Sequence, residues 1–177
     1  MNVLMIYAHP ESHSLNGALN KFAVSHLENA GHHVQVSDLY AMNWKSQLDA
    51  DDTLAPLAGD HFHPSMDSKQ AFEQGLQSAD IAGEQEKLRW ADAVIFQFPL
   101  WWFSMPAIMK GWFDRVWLPG VTFDVLTDRV VSILSSIRRS MSRGFLDHAF
   151  CRRRSAWCRA GSRDVPSPRL FLPVALF

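Results

Sequence analysis

The sequence predicts an α/β fold, an open parallel sheet with helices on both faces, and three observations carry that prediction. Two apolar runs of strand length, Val3 to Ala8 and Ala93 to Phe98, are too uniformly apolar for a half-exposed strand and match buried strands of a parallel sheet. Each run is followed by a short loop and then by residues at helical spacing. Between them, His33 to Leu39 alternates like another strand. The composition agrees: 177 residues with 47% hydrophobic and 20% charged side chains suit one globular domain with a real core.

The elements follow in order. Val3-Leu4-Met5-Ile6-Tyr7-Ala8 ends at His9-Pro10, and Ser14 stands where a helix N-cap belongs. Leu15, Leu19, Phe22, Ala23, Leu27 and Ala30 are spaced to form one apolar helical face, which Gly31 terminates. After the alternating strand, Asp49 to Ser65 is polar and carries Pro56, Gly59 and Pro64, the marks of a long loop. Asp67 to Trp90 reads as broadly helical, with interruptions near Gly75 and Gly83. Pro99 ends the second buried strand. Pro106 then opens a helix running through Ile108, Met109, Trp112, Phe113 and Val116 to Pro119-Gly120.

Charge divides the chain. Residues 1–126 hold seven basic and fifteen acidic side chains, whereas residues 127–177 hold ten basic and three acidic. All five lysines precede residue 111, and after residue 126 every basic residue is arginine and no glutamate occurs. We therefore read 1–126 as the organised unit and 127–177 as an Arg-rich C-terminal segment. That segment offers one candidate fourth strand, Val130 to Leu134, and then an irregular or incomplete portion. Its aromatics (Phe150, Trp157, Phe171) are too sparse for a nucleic-acid platform, so no nucleic-acid partner is expected. No apolar run approaches the roughly 20 residues of a membrane span, so a cytoplasmic protein without membrane insertion is expected. Cys151 and Cys158 match no metal-ligand spacing, and a disulfide scaffold is not expected.

In parallel sheets of this kind ligands bind beyond the carboxyl ends of the strands, which singles out two loops. The first, His9 to Asn16, delivers hydroxyls and an amide onto a helix N-terminus, where free N–H groups and the helix dipole favour an anion. Helix capping by Ser14 and Asn16 explains those residues equally well. The usual Gly-rich dinucleotide and P-loop fingerprints are absent from the sequence. The second loop, Phe98-Pro99-Leu100-Trp101-Trp102-Phe103-Ser104-Met105-Pro106, packs three aromatics between prolines. Three consecutive rings cannot all face the core, so at least one borders a cleft or an interface. A flat tricyclic ligand fits the first case, and a buried aromatic cluster or subunit contact accounts for the second.

The residues also carry a resemblance. Ala8-His9 with Ser14-Leu15-Asn16, Ser37 to Asn43, Ile95 to Phe103 and Pro106 to Val116 come in one order, and together they resemble the NAD(P)H dehydrogenase (quinone) family over about residues 1–124. The resemblance implies a flavodoxin-like fold and a cytoplasmic homodimeric flavoprotein. It implies that FAD is bound, NADH or NADPH is the electron donor and a quinone the acceptor. His9, Ser14, Leu15 and Asn16 then hold the diphosphate and ribityl region. Pro99, Leu100, Trp101, Trp102 and Phe103 line the isoalloxazine, and Phe123 lies over the substrate pocket.

The C-terminal segment departs from that family, which continues into a Thr-Thr-Gly-Gly loop and then a Tyr and a His that assist hydride transfer. Here no Gly-Gly pair follows residue 120, Tyr7 and Tyr40 are the only tyrosines, and His148 stands in no matching context. No catalytic pair is therefore assigned. A changed reading frame or alternative end explains the turn to Arg, Ser and Pro, and a divergent C-terminus is the other reading. Either predicts weak flavin retention. The competing functions are an FMN-dependent reductase or the regulatory subunit of a potassium-efflux system, and an inactive truncated paralogue acting as a binding protein.

Overall fold

The computed structural model describes residues 1–57, 59–118 and 121, together with the backbone of residues 170–176. Four strands, β1 (Asn2–Tyr7), β2 (His33–Asp38), β3 (Ala93–Pro99) and β4 (Leu170–Leu176), form one sheet in the order β2-β1-β3-β4. Every pairing is parallel: Val3 lies opposite Val34 on one side and Ala93 on the other, and Ile6 opposite Ser37 and Phe96. The helices are α1 (Leu15–Asn29), α2 (Pro64–Gln74), α3 (Ala79–Trp90) and α4 (Ala107–Val116).

The expected cover on both faces follows from the period of two along β1. Leu4 and Ile6 point into a core with Ile81 and Leu88 of α3 and Met109, Trp112 and Val116 of α4. Val3 and Met5 point the other way, onto Ala23, Val24 and Leu27 of α1. Each fully buried side chain of this size contributes about 1.5–3 kcal/mol.

The first helix begins where Ser14 predicts: its hydroxyl accepts from the Gly17 N–H at 3.1 Å, a cap worth about 1 kcal/mol. Gly31, at φ +82°, turns the chain just past its end. The expected apolar face is only partly correct. Leu15 and Phe22 are each 68% exposed and Ala30 is also exposed, because the buried line runs through Asn16, Gly17 and Asn20. Polar residues displace leucine there because the first turn of α1 is bonded to β3.

The helical stretch after the long loop starts at Pro64, earlier than Asp67, and breaks once. Gly75 closes α2 at φ +68°, whereas Gly83 lies inside α3 on an exposed position, where glycine costs only about 1 kcal/mol. The long loop is pinned rather than loose. It contains a 3-10 turn (Ala50–Asp52) whose Asp52 is buried against Arg115 of α4. Arg115, 1% exposed, bonds Asp52 through Nε and an Nη, reaches the Lys45 carbonyl at 3.1 Å and Asp80 at 2.7 Å, and lies 4.5 Å over the Trp44 ring. A Cβ on Gly111 would stand 2.2 Å from the Ser46 carbonyl oxygen, so α4 approaches the segment leading into this loop where only glycine fits.

Beside β3 the sheet takes β4, paired in register from Ala93↔Leu170 to Pro99↔Leu176. The candidate strand Val130 to Leu134 lies outside the described residues. The C-terminal portion, expected to be irregular, thus supplies one regular strand. Pro173 masked it in the sequence: a proline within an apolar run argues against a central strand and is compatible with an edge.

Candidate functional site at the switch point of the sheet

β1 has β2 on one side and β3 on the other, so the chain reverses its direction of travel across the sheet at β1. The loops leaving β1 and β3 therefore part from adjacent strand ends and leave a crevice between them, the usual ligand position in such sheets. The Ala8 N–H extends the ladder by donating to the Gln97 carbonyl at 3.0 Å, and beyond it the loops meet where the rings of His9 and Trp101 lie 6.4 Å apart at 58°.

The loop after β1 is knit by its own polar groups. His9 Nδ1 is 3.0 Å from the Glu11 N–H and 3.0 Å from the Ser14 hydroxyl, and the Glu11 carboxylate accepts from the His13 N–H at 2.8 Å. A Cβ on Gly17 would lie 2.1 Å from the Ser12 carbonyl oxygen, so the first turn of α1 presses directly on the loop. Asn16 is 8% exposed, and its carbonyl accepts from Gln97 Nε2 at 2.7 Å. Its side-chain Oδ1 is buried with no donor among the described residues. Such an orphan costs about 1–3 kcal/mol unless a ligand or water completes it. Burial raises the Tyr7 hydroxyl above its ordinary pKa; it lies beside Ser14 without hydrogen-bond geometry to it.

The loop after β3 is a two-residue hairpin. Trp101 and Ser104 exchange both backbone hydrogen bonds, at 3.0 and 3.1 Å, and Trp102 and Phe103 between them have φ +52° and +62°. Positive φ at both central positions suits Asn-Gly; a large side chain there costs about 1–3 kcal/mol per residue. Both rings are 94% exposed and Trp101 is 42% exposed. The molecule thus holds two strained residues to present a bare aromatic surface.

Of the residues singled out from sequence, His9 and Ser14 are bonded to each other in the loop after β1, Asn16 is buried at the start of α1, Trp101 lies opposite His9, and Trp102 and Phe103 project from the tip of the hairpin. Leu15 brings its main chain to the helix start while its side chain is exposed. Pro99 is buried at the end of β3 and Leu100 packs on the core, so both anchor the hairpin. Phe123 lies outside the described residues. Sequence reading missed Gln97, which also accepts from Asn20 Nδ2 at 3.3 Å and so fastens α1 to β3 at the crevice. A lone amide inside an otherwise apolar strand was its available signal, since a buried amide needs partners. Among the described residues no cluster of three His, Cys, Asp or Glu side chains is placed to hold a metal, and no helix is long and apolar enough to cross a membrane.

A family model described as flavodoxin-like fold matches residues 1–151. The chain belongs to this flavodoxin-like family. Among curated proteins it is similar to the ribosyldihydronicotinamide dehydrogenase [quinone] of Homo sapiens, 47% identical over 124 residues, or 70% of this chain and 54% of that protein. NAD(P)H dehydrogenase [quinone] 1 of Rattus norvegicus is 44% identical over 125 residues, 70% of this chain and 46% of the relative. Among solved structures, a Klebsiella pneumoniae protein assigned as a quinone reductase is 71% identical with a TM-score of 0.67, covering 68% of this chain and 46% of that one. This flavodoxin-like chain therefore spans about half the length of the curated relatives it matches.

Proposed function

We propose that the chain carries the flavin-binding part of a cytoplasmic NAD(P)H:quinone reductase, with residues 1–126 as the flavin-binding unit and FAD as the cofactor. The observation that carries this reading is the meeting of the polar loop at the start of α1 with the bare aromatic hairpin after β3. When bound, the flavin supplies two-electron chemistry between a reduced nicotinamide and a quinone.

The residues present fit such a group. The N–H groups of Leu15 and Asn16 open the positive end of α1 toward a diphosphate, beside His9. Asn16 Oδ1, without a donor among the described residues, suits a hydroxyl of the ribityl chain. Trp101, Trp102 and Phe103 offer apolar area for the ring face and exclude water from it. Substrates stacked against the same face gain orientation, the protein's main contribution to a reaction whose chemistry lies in the cofactor. A homodimer belongs to this proposal, because two fully exposed rings are apolar area that a subunit contact would cover. FAD over FMN rests on the resemblance of the two loops; the quinone and the dihydronicotinamide donor rest on it and on the names of the relatives.

The test is the visible spectrum of the purified full chain, with and without added FAD, followed by NAD(P)H and then a quinone. Flavin bands on FAD addition, bleached by NAD(P)H and restored by the quinone, are expected. Protein that stays colourless with both FAD and FMN defeats the proposal and leaves the non-enzymatic binding reading.

A further inference from the structure

The hydrogen bonds around His9 define more than its position. Its Nδ1 lies 3.0 Å from the Glu11 N–H, 3.0 Å from the Glu11 carbonyl oxygen and 3.0 Å from the Ser14 hydroxyl oxygen. An unprotonated Nδ1 would accept from the N–H, and a protonated one would donate to the carbonyl. The remaining bonds decide between them. The Glu11 carbonyl already accepts from the Ser14 N–H at 3.2 Å, whereas the Glu11 N–H has no acceptor other than Nδ1 among the described residues. Ser14 Oγ accepts from the Gly17 N–H and keeps its hydrogen, and with the Glu11 N–H already pointing at Nδ1 that hydrogen can be shared with the same unprotonated nitrogen, 3.0 Å away. Two donors converge on one ring nitrogen.

We infer that Ser14 and the Glu11 N–H hold His9 in the tautomer with hydrogen on Nε2, so that the ring presents one donor to an acceptor oxygen lying at the N-terminus of α1. Ser14 is thus a positioning residue with two tasks: it caps the helix and it sets which edge of His9 can donate. Nε2 makes no hydrogen bond among the described residues, and the ring faces Trp101 across the crevice. A ring locked in this state complements a phosphate or other acceptor-only group and offers nothing to a donor. The ligand side of this inference rests on the flavin reading above; the tautomer itself does not.

The experiment is nitrogen NMR of the histidine-labelled full chain, flavin-free, in wild type and in Ser14→Ala, Ser14→Asp and Ser14→Thr, with His9→Gln to assign the signal. Wild type should show the His9 Nδ1 resonance in the range of an unprotonated ring nitrogen and Nε2 in the protonated range. Ser14→Thr should keep that pattern. Ser14→Ala should shift it toward a mixture, and Ser14→Asp, which still caps the helix but accepts rather than donates, should shift it further toward Nδ1–H. A wild-type signal with hydrogen on Nδ1, or a pattern unchanged in both the alanine and aspartate variants, overturns the inference. FAD titration of the same proteins should give about tenfold weaker binding for Ser14→Ala and near wild-type binding for Ser14→Thr. If the tautomer pattern holds and no variant or wild type binds FAD, the flavin reading fails while the positioning role stands.

Discussion

At the residue scale, stability rests on charges that sequence inspection treats as surface. Arg115 is buried between Asp52 and Asp80, and although burial alone would lower its pKa, these two carboxylates raise it. For Asp80, partial burial pushes the carboxyl upward, but the nearby Ser78 hydroxyl and the Arg115 guanidinium outweigh it and hold the pKa below the ordinary 3.8. A carboxyl whose pKa falls on folding adds stability that is complete above its unfolded value and vanishes as pH drops through the folded one. The protein should therefore lose stability below about pH 4. Urea unfolding at several pH values should show that loss in wild type and a shallower one in Asp80→Asn; identical slopes would remove Asp80 from the account. Ser14 was legible as a cap because the N-cap pattern is local. Asp52, Asp80 and Arg115 were not, since they lie far apart in the chain and only the fold brings them together.

At the scale of elements, the hairpin after β3 is where local preference and structure conflict. Its composition was readable, and at least one ring was expected to border a cleft or an interface, yet the turn type was not, because Trp102-Phe103 is the opposite of what positive φ favours. Replacing the pair by Asn-Gly should therefore raise stability by about 1–2 kcal/mol while flavin binding is lost. A thermal melt and a flavin titration on the double variant check both halves, and a drop in melting temperature would mean the strain is absent. β1, α1, β2, β3 and α4 all fall near their expected positions, because buried-strand runs, caps and proline stops are strong local signals. The inner line of α1 was misread for a physical reason: its first turn is bound by Gln97 of β3, so Asn16 and Asn20 are buried in place of Leu15 and Phe22.

At the scale of the whole molecule, the alternation of strands and helices made a parallel sheet and its two end loops foreseeable, whereas the order β2-β1-β3-β4 that sets those loops side by side came from the structure. What lies beside β3 was not foreseeable, because Pro173 breaks the apolar run that forms β4. Deleting residues 170–177 should expose that side of β3. Hydrogen exchange should then quicken across residues 93–99 with little change across residues 2–7, which keep both neighbours; equal protection of β3 in the two proteins would argue against the pairing. The bare hairpin has an optical consequence. Trp112 and Trp44 are sealed in the core, while the Trp102 indole stands almost wholly in water, so its emission falls to the red of theirs. Iodide reaches that indole before the two buried ones, and anything settling over the hairpin turns its light blue and shields it, which gives the protein a built-in lamp for whatever comes to rest there.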